Sequence, residues 1–146
     1  MRLKPNTLIV VAGPTASGKT ALAIQIAKAV DGEIVSADSM QIYRGVDIAT
    51  AKPTPEELAA VPHHLIGFLP MDRAFSVADY AELARKEIND ILSRGKVPVL
   101  CGGTGLYIKA IVDNVQYSEA ITGDEALRER LRQLAEREGN DALWRR

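Results

Sequence analysis

Gly13-Pro14-Thr15-Ala16-Ser17-Gly18-Lys19-Thr20 fits the phosphate-loop pattern of a glycine, four residues and then Gly-Lys-Ser/Thr at every fixed position. A short β-branched run, Leu8-Ile9-Val10-Val11-Ala12, precedes it, and an apolar helical pattern follows. Each residue type has its own task. Gly13 and Gly18 let the backbone curl closely around an anion, so that the amides of Thr15, Ala16, Ser17, Gly18, Lys19 and Thr20 and the helix N-terminus can point at it. Pro14 has no amide to give, so binding falls to those later amides. Lys19 brings a mobile positive charge to the outer phosphates, and the Thr20 hydroxyl is placed to ligate a magnesium ion, Mg2+, bridging them. A chance glycine-rich turn rarely has both the pattern and its strand–helix context. The stretch therefore predicts binding of a di- or triphosphate, as in nucleotide-binding and ATP-binding proteins.

Downstream, residues 18 to 30 are apolar almost all round, which predicts a mostly buried helix between a sheet and a further layer. Residues 33 to 37 read as a second strand, with Asp38 at its end. Residues 38 to 53 hold neither the helical nor the strand period, and so many polar groups at a strand's carboxyl end look like part of a site. Thr54-Pro55-Glu56-Glu57 is a capping box that opens a short helix, and residues 63 to 67 read as a short strand. Ser76 caps a longer helix with Val77, Tyr80, Ala81, Ala84, Ile88, Ile91 and Leu92 at helical spacing, ended by Gly95.

Val97-Pro98-Val99-Leu100-Cys101 is apolar enough for a parallel strand covered on both faces. Gly102-Gly103-Thr104-Gly105 and an apolar helix from Leu106 to Val112 follow it. This second strand–glycine turn–helix junction should open on the same sheet edge as the first. The expected fold is α/β: a P-loop NTPase-like parallel sheet flanked by helices over residues 1 to 112. From 113 to 146 the composition changes to the start of a helical subdomain. There a helix over 124 to 138, capped by Thr122 with Glu125, carries a narrow stripe of Leu127, Leu131 and Leu134. Asn140 or Asp141 would cap one more helix, and the chain reads as cut inside that subdomain.

Composition narrows the partners. The chain has 146 residues, 47% hydrophobic and 25% charged, about one domain with a core of its own. A net charge of −1 gives no global basic field, so a nucleic acid would have to be held by local patches and shape. The one cysteine, Cys101, cannot close an internal disulfide, and a buried reduced thiol there fits a cytoplasmic protein. The apolar run before Gly13 is too short for a secretory core or a membrane span.

A phosphate loop leaves hydrolysis, phosphoryl transfer and other uses of a diphosphate open. A guanine-reading Asn-Lys-x-Asp is absent, and the strand ending at Cys101 leads into glycine rather than a magnesium-binding carboxylate. Asp38 is the one carboxylate directly after a strand in the right neighbourhood. It is a metal ligand, a base, or a plain strand-end cap.

The phosphate loop, the run from Asp38 to Pro53, His63-His64-Leu65-Ile66, Phe75-Ser76-Val77-Ala78-Asp79-Tyr80 and Gly102-Gly103-Thr104-Gly105-Leu106-Tyr107 occur in this order. Together they closely resemble the tRNA dimethylallyltransferases, also called isopentenyltransferases. The resemblance covers essentially the whole chain, and the family protein is about twice as long, so these residues correspond to its N-terminal catalytic half. It implies transfer of a dimethylallyl group from dimethylallyl diphosphate to N6 of the adenine just 3′ of the anticodon in tRNA, with release of pyrophosphate.

On that reading Asp38 is the base that takes an N6 proton, and Lys19 and the loop amides stabilise the leaving group. Thr104 holds the base or the diphosphate from the opposite wall, and Ser39, Met40 and Gln41 join Asp38 and Thr104 in binding the tRNA. The anticodon loop is the RNA partner, residues 113 to 146 begin a tRNA-binding helical subdomain, and the whole protein is expected to be a monomer. Two departures stand out: Ala49 where glycine is usual, and Gly67 where an acid is common.

Other readings remain. The chain alone is expected to be inactive or nearly so, and it could be a non-catalytic diphosphate- or nucleotide-binding module. It could instead belong to enzymes that prenylate free adenine nucleotides, or to the small-molecule kinases, although adenine-lid features are missing. Thr104 could be a turn residue. His63 and His64 lack the further ligands of a metal site and read as structural or tRNA-facing. Arg44 and Lys52 are candidate RNA phosphate contacts, and Tyr43 and Tyr107 are core residues or stacking platforms.

Overall fold

The computed structural model describes residues 3 to 46, 50 to 117, 125 to 139, and 141. The chain divides into two units, Met1–Val115 and Gln116–Arg146.

Among the described residues the first unit is built on four parallel strands, β1 (Ile9–Ala12), β2 (Gly32–Ser36), β3 (His63–His64) and β4 (Val97–Gly102), ordered β1-β4-β2-β3. Side chains alternate across a strand, and the sheet's two faces sort accordingly. On one face Val11, Ile34, Val99 and Cys101 pack with Ala23, Ile24 and Ala27 of α1 (Lys19–Val30). On the other, Val35, Ala37 and Leu100 pack with Tyr80, Ala84, Ile88 and Ile91 of α3 (Val77–Ser93) and with Tyr107 of α4 (Gly105–Val112). β4 is paired on both edges and covered on both faces, which accounts for its apolar run.

Local chemistry sets the helix boundaries. At α2 (Pro55–Ala60), Thr54 accepts from the Glu57 amide while the Glu57 carboxylate accepts from the Thr54 amide. Ser76 and Asp79 make the same reciprocal pair at α3, and the Ser76 hydroxyl and amide, both donating to the carboxylate, hold the Asp79 carboxyl below its ordinary range. Tyr80 and Tyr107 stack with centroids 3.9 Å apart, and Tyr80 Oη donates to Ser36 O at 2.9 Å. Tyr107 is therefore a core residue. Burial pushes both phenols up.

Two expectations need correction. α1 is not buried all round: Ala23, Ile24 and Ala27 face the sheet, but Leu22 is 51% exposed, because among the described residues no second layer covers that outer side. The strand expected over 63 to 67 stops after His64, because Leu65 turns left-handed at φ +61° and Gly67 follows at +59°.

His63 and His64 are structural. His63 Nδ1–H donates to Val61 O at 2.8 Å, while its buried Nε2 has no partner among the described residues, and burial pushes its pKa down. His64 lies between Glu33, 2.8 Å from Nε2, and Glu87, 2.9 Å from Nδ1. Buried Glu33 also takes a two-pronged bond from Arg94, at 2.6 and 2.8 Å, and Lys96 at 3.2 Å. Led by Arg94, these partners hold its carboxyl down to about 2 despite burial.

The second unit contributes α5 (Glu125–Glu138), a charged helix with Leu127 and Leu131 partly exposed. The expected Thr122 cap, Asn140 and the departure at Ala49 lie outside the described residues. Among the described residues no helix is long and apolar enough to cross a membrane.

Candidate active site

The three strand ends β1, β2 and β4 are locked together before any side chain takes part. Gly13 N–H donates to Gly102 O at 3.4 Å, Ala37 N–H to Cys101 O at 2.8 Å and Thr104 N–H to Ala37 O at 3.0 Å. A Cβ on Gly102 would lie 2.1 Å from Ala37 O, so glycine is required for this approach. A Cβ on Gly103 would meet Gly13 O at 3.2 Å and Lys19 Nζ at 4.0 Å. Both glycine junctions thus open on one sheet edge, as expected from the sequence.

The phosphate loop turns through left-handed conformations at Ala16 (φ +63°) and Gly18 (φ +79°) and enters α1 without a side-chain cap. First-turn amides of an uncapped helix remain available to an anion. Lys19 Nζ donates to Pro14 O at 3.0 Å. Below the loop, the buried Cys101 thiol, raised by burial, contacts Lys19 O.

A cleft of about 250 Å³ is lined by residues 15 to 21 together with Asp38, Gln41, Thr50, Ala51 and Glu57. Asp38 and the loop therefore share one cavity. Asp38 Oδ1 accepts the amides of Met40 (2.9 Å) and Gln41 (3.3 Å), while among the described residues no donor reaches Oδ2. One oxygen fixes the turn and the other takes no part in it. Ser39 and Thr104 are joined, with Thr104 Oγ1 accepting the Ser39 amide at 2.9 Å and donating to Ser39 Oγ at 3.3 Å. Met40 is 53% exposed beside them.

The remaining sequence candidates go to different places. Gln41 lines the cleft, but its amide group bonds to the protein itself. Lys52 Nζ donates to Tyr43 O and so ties the 38 to 53 segment to itself, whereas Arg44 is exposed. Thr50, Ala51 and Glu57 line the cleft without having been singled out as site residues. Glu57 was legible only as a helix cap, and no local signal marks Thr50 or Ala51 as returning to the loop.

Among the described residues no group of three His, Cys, Asp or Glu gathers to hold a metal. The candidate ligands lining the cleft are oxygens, among them the Thr20 hydroxyl and the Asp38 carboxylate. That set fits a hard cation that arrives with phosphate oxygens and keeps several waters, as magnesium does.

The family model described as IPP transferase matches residues 41 to 146. The chain belongs to that family. Within the IPP transferases it is 53% identical over 144 residues to the tRNA dimethylallyltransferase of Exiguobacterium sp., a match covering 99% of this chain and 46% of the relative. It is 49% identical over 136 residues to that of Bacillus subtilis, covering 93% and 43%. Among solved structures it superposes with TM-score 0.75 and 45% identity on the full-length tRNA isopentenylpyrophosphate transferase of Bacillus halodurans, covering 94% of this chain and 45% of that one. A eukaryotic dimethylallyltransferase acting on tRNA matches with TM-score 0.73 and 31% identity, covering 82% and 31%. The chain thus spans about half the length of the three bacterial relatives and about a third of the eukaryotic one.

Proposed function

We propose that this chain carries the catalytic cleft of an enzyme that moves a dimethylallyl group from its diphosphate to N6 of an adenine beside the tRNA anticodon. The observation that carries this reading is the shared cleft, which the phosphate loop and Asp38 line together while only one Asp38 oxygen is taken up by the turn amides. Its relatives' names supply the substrate classes.

The chemistry follows from the residues. The allylic carbon–oxygen bond breaks and its electron pair leaves with pyrophosphate, whose charge the loop amides and Lys19 stabilise. The adenine N6 lone pair forms the new carbon–nitrogen bond. Because that lone pair is delocalised into the ring, N6 attacks more readily as a proton passes to Asp38 Oδ2. A magnesium ion held at Thr20 and the diphosphate oxygens would add positive charge at the leaving group. An anticodon loop can present an unstacked base to such a cleft at low cost.

The working compartment we infer is the cytoplasm, where tRNA is available, and the whole protein acts as a monomer on this reading. The test is transfer of labelled dimethylallyl from its diphosphate by the whole protein, with tRNA and AMP offered separately. Label on tRNA alone is expected. Label on AMP would move the acceptor to free nucleotides, and ATP consumption without transfer would favour a kinase.

A further inference from the structure

We infer that Gln41 is a positioning residue whose side-chain amide holds the cleft wall at Thr50–Ala51 against the Asp38 turn and does not read the adenine. The inference rests on the proposed transfer reaction and deepens the account of the same site.

The geometry is specific. Gln41 Nε2 donates to Thr50 O at 3.1 Å and to Ala51 O at 3.0 Å, which uses both of its hydrogens. Ser36 Oγ lies 3.5 Å from Gln41 Oε1 on the acceptor side, and Ser36 is held in turn by Tyr80 through its carbonyl. The Gln41 backbone joins in as well: its amide is the second donor to Asp38 Oδ1, and its carbonyl accepts Gly67 N–H at 2.8 Å. One residue thus ties the end of β2, the Asp38 turn, the return of the chain at Thr50–Ala51 and the loop after β3.

A glutamine that recognises adenine in two-pronged fashion gives one hydrogen to N7 and accepts one from N6. With both hydrogens already on carbonyls, Gln41 has none for N7. Releasing it to read the base would leave the Thr50 and Ala51 carbonyls without those partners beside the cleft, at a cost in free energy. Its contribution is instead the placement of Asp38, and placement acts on the rate of the chemical step. A misplacement of about 1 Å is enough to slow a reaction by about a hundredfold.

The test compares Gln41→Met and Gln41→Glu with the parent in the whole protein. Methionine keeps the bulk and loses both donors, whereas glutamate sets an acceptor against two carbonyls. For Gln41→Met, kcat is expected to fall by about tenfold or more while KM for tRNA stays within about twofold. Without substrate, hydrogen exchange over residues 38 to 44 and 64 to 69 should quicken in both variants, more so for glutamate.

A rise of about tenfold or more in KM for tRNA, with kcat and exchange unchanged, would make Gln41 a base reader and overturn the inference. Unchanged exchange in both variants would overturn it too. The exchange measurement needs no turnover. A parent protein that transfers nothing would therefore defeat the proposed reaction, while the exchange result still decides the role of Gln41.

Discussion

Thr104 stands at the N-cap position of α4, yet its hydroxyl turns away from the helix and accepts the Ser39 amide at 2.9 Å. The usual helix cap is forgone so that the glycine turn after β4 can hold the first residues after β2. Thr104→Ala removes that acceptor and should slow transfer about tenfold through misplacement of the Asp38 turn, while Thr104→Ser should restore most of the rate. Steady-state kinetics on the two variants check this. Equal rates for alanine and serine would show that the hydroxyl has no such part.

On the proposed mechanism Asp38 has two tasks on two oxygens, and they can be separated. Asp38→Asn keeps an oxygen for the Met40 and Gln41 amides but takes no proton at neutral pH, so the turn should survive while transfer falls about a hundredfold or more. Single-turnover transfer, read beside pyrophosphate affinity, is the measurement. Pyrophosphate binding should stay near the parent's, and a near-parent transfer rate in Asp38→Asn would remove the base from the mechanism.

Glycine is required at one end of the second junction and not at the other. Gly102→Ala forces a methyl onto Ala37 O and should cost about 3 kcal/mol or more of stability. Gly105→Ala, at the start of α4 with nothing within 4 Å of the new Cβ, should instead stabilise by about 0.5–1 kcal/mol. Urea titration of both variants gives the signs directly.

Stability falls on the acid side in two windows, the upper set by His63 and the lower by carboxylates led by Glu33. Burial depresses His63 from its ordinary 6.5, so the unfolded chain takes that proton first and stability begins to drop as pH falls below about 6.5. Glu33, held near 2 instead of 4.5 mainly by Arg94, adds a second loss as pH falls from 4.5 toward 2. Thermal unfolding across pH should show both steps. Glu33→Gln should flatten the lower one, and an unchanged slope there would count against the Glu33 network.

Much of this was legible in the sequence because the signals were local. The phosphate loop, the Thr54 and Ser76 caps, the α3 period and the β4 run each lie within a few residues, and each appears where local chemistry puts it. Asp38 was legible as a cleft residue because strand ends of a parallel sheet share an edge. The bonds inside 38 to 53 were not. Gln41 to Thr50 and Ala51, and Lys52 to Tyr43, are side-chain to carbonyl contacts in a segment without a period, and nothing in residue type fixes which carbonyl is chosen. The exposed side of α1 was missed for a related reason, since apolar content reports what a helix can bury and not what is there to cover it.

The strand order carries one more consequence. Of the four described strands β4 is synthesised last, yet it lies between β1 and β2, which never touch each other along their length. A nascent chain that has released its phosphate loop and Asp38 still has no cleft, because the wedge that sets their separation has not emerged. Assembly of the cleft therefore waits on residues 97 to 105, and a ribosome stalled before them would expose an open seam with two unpaired strand edges.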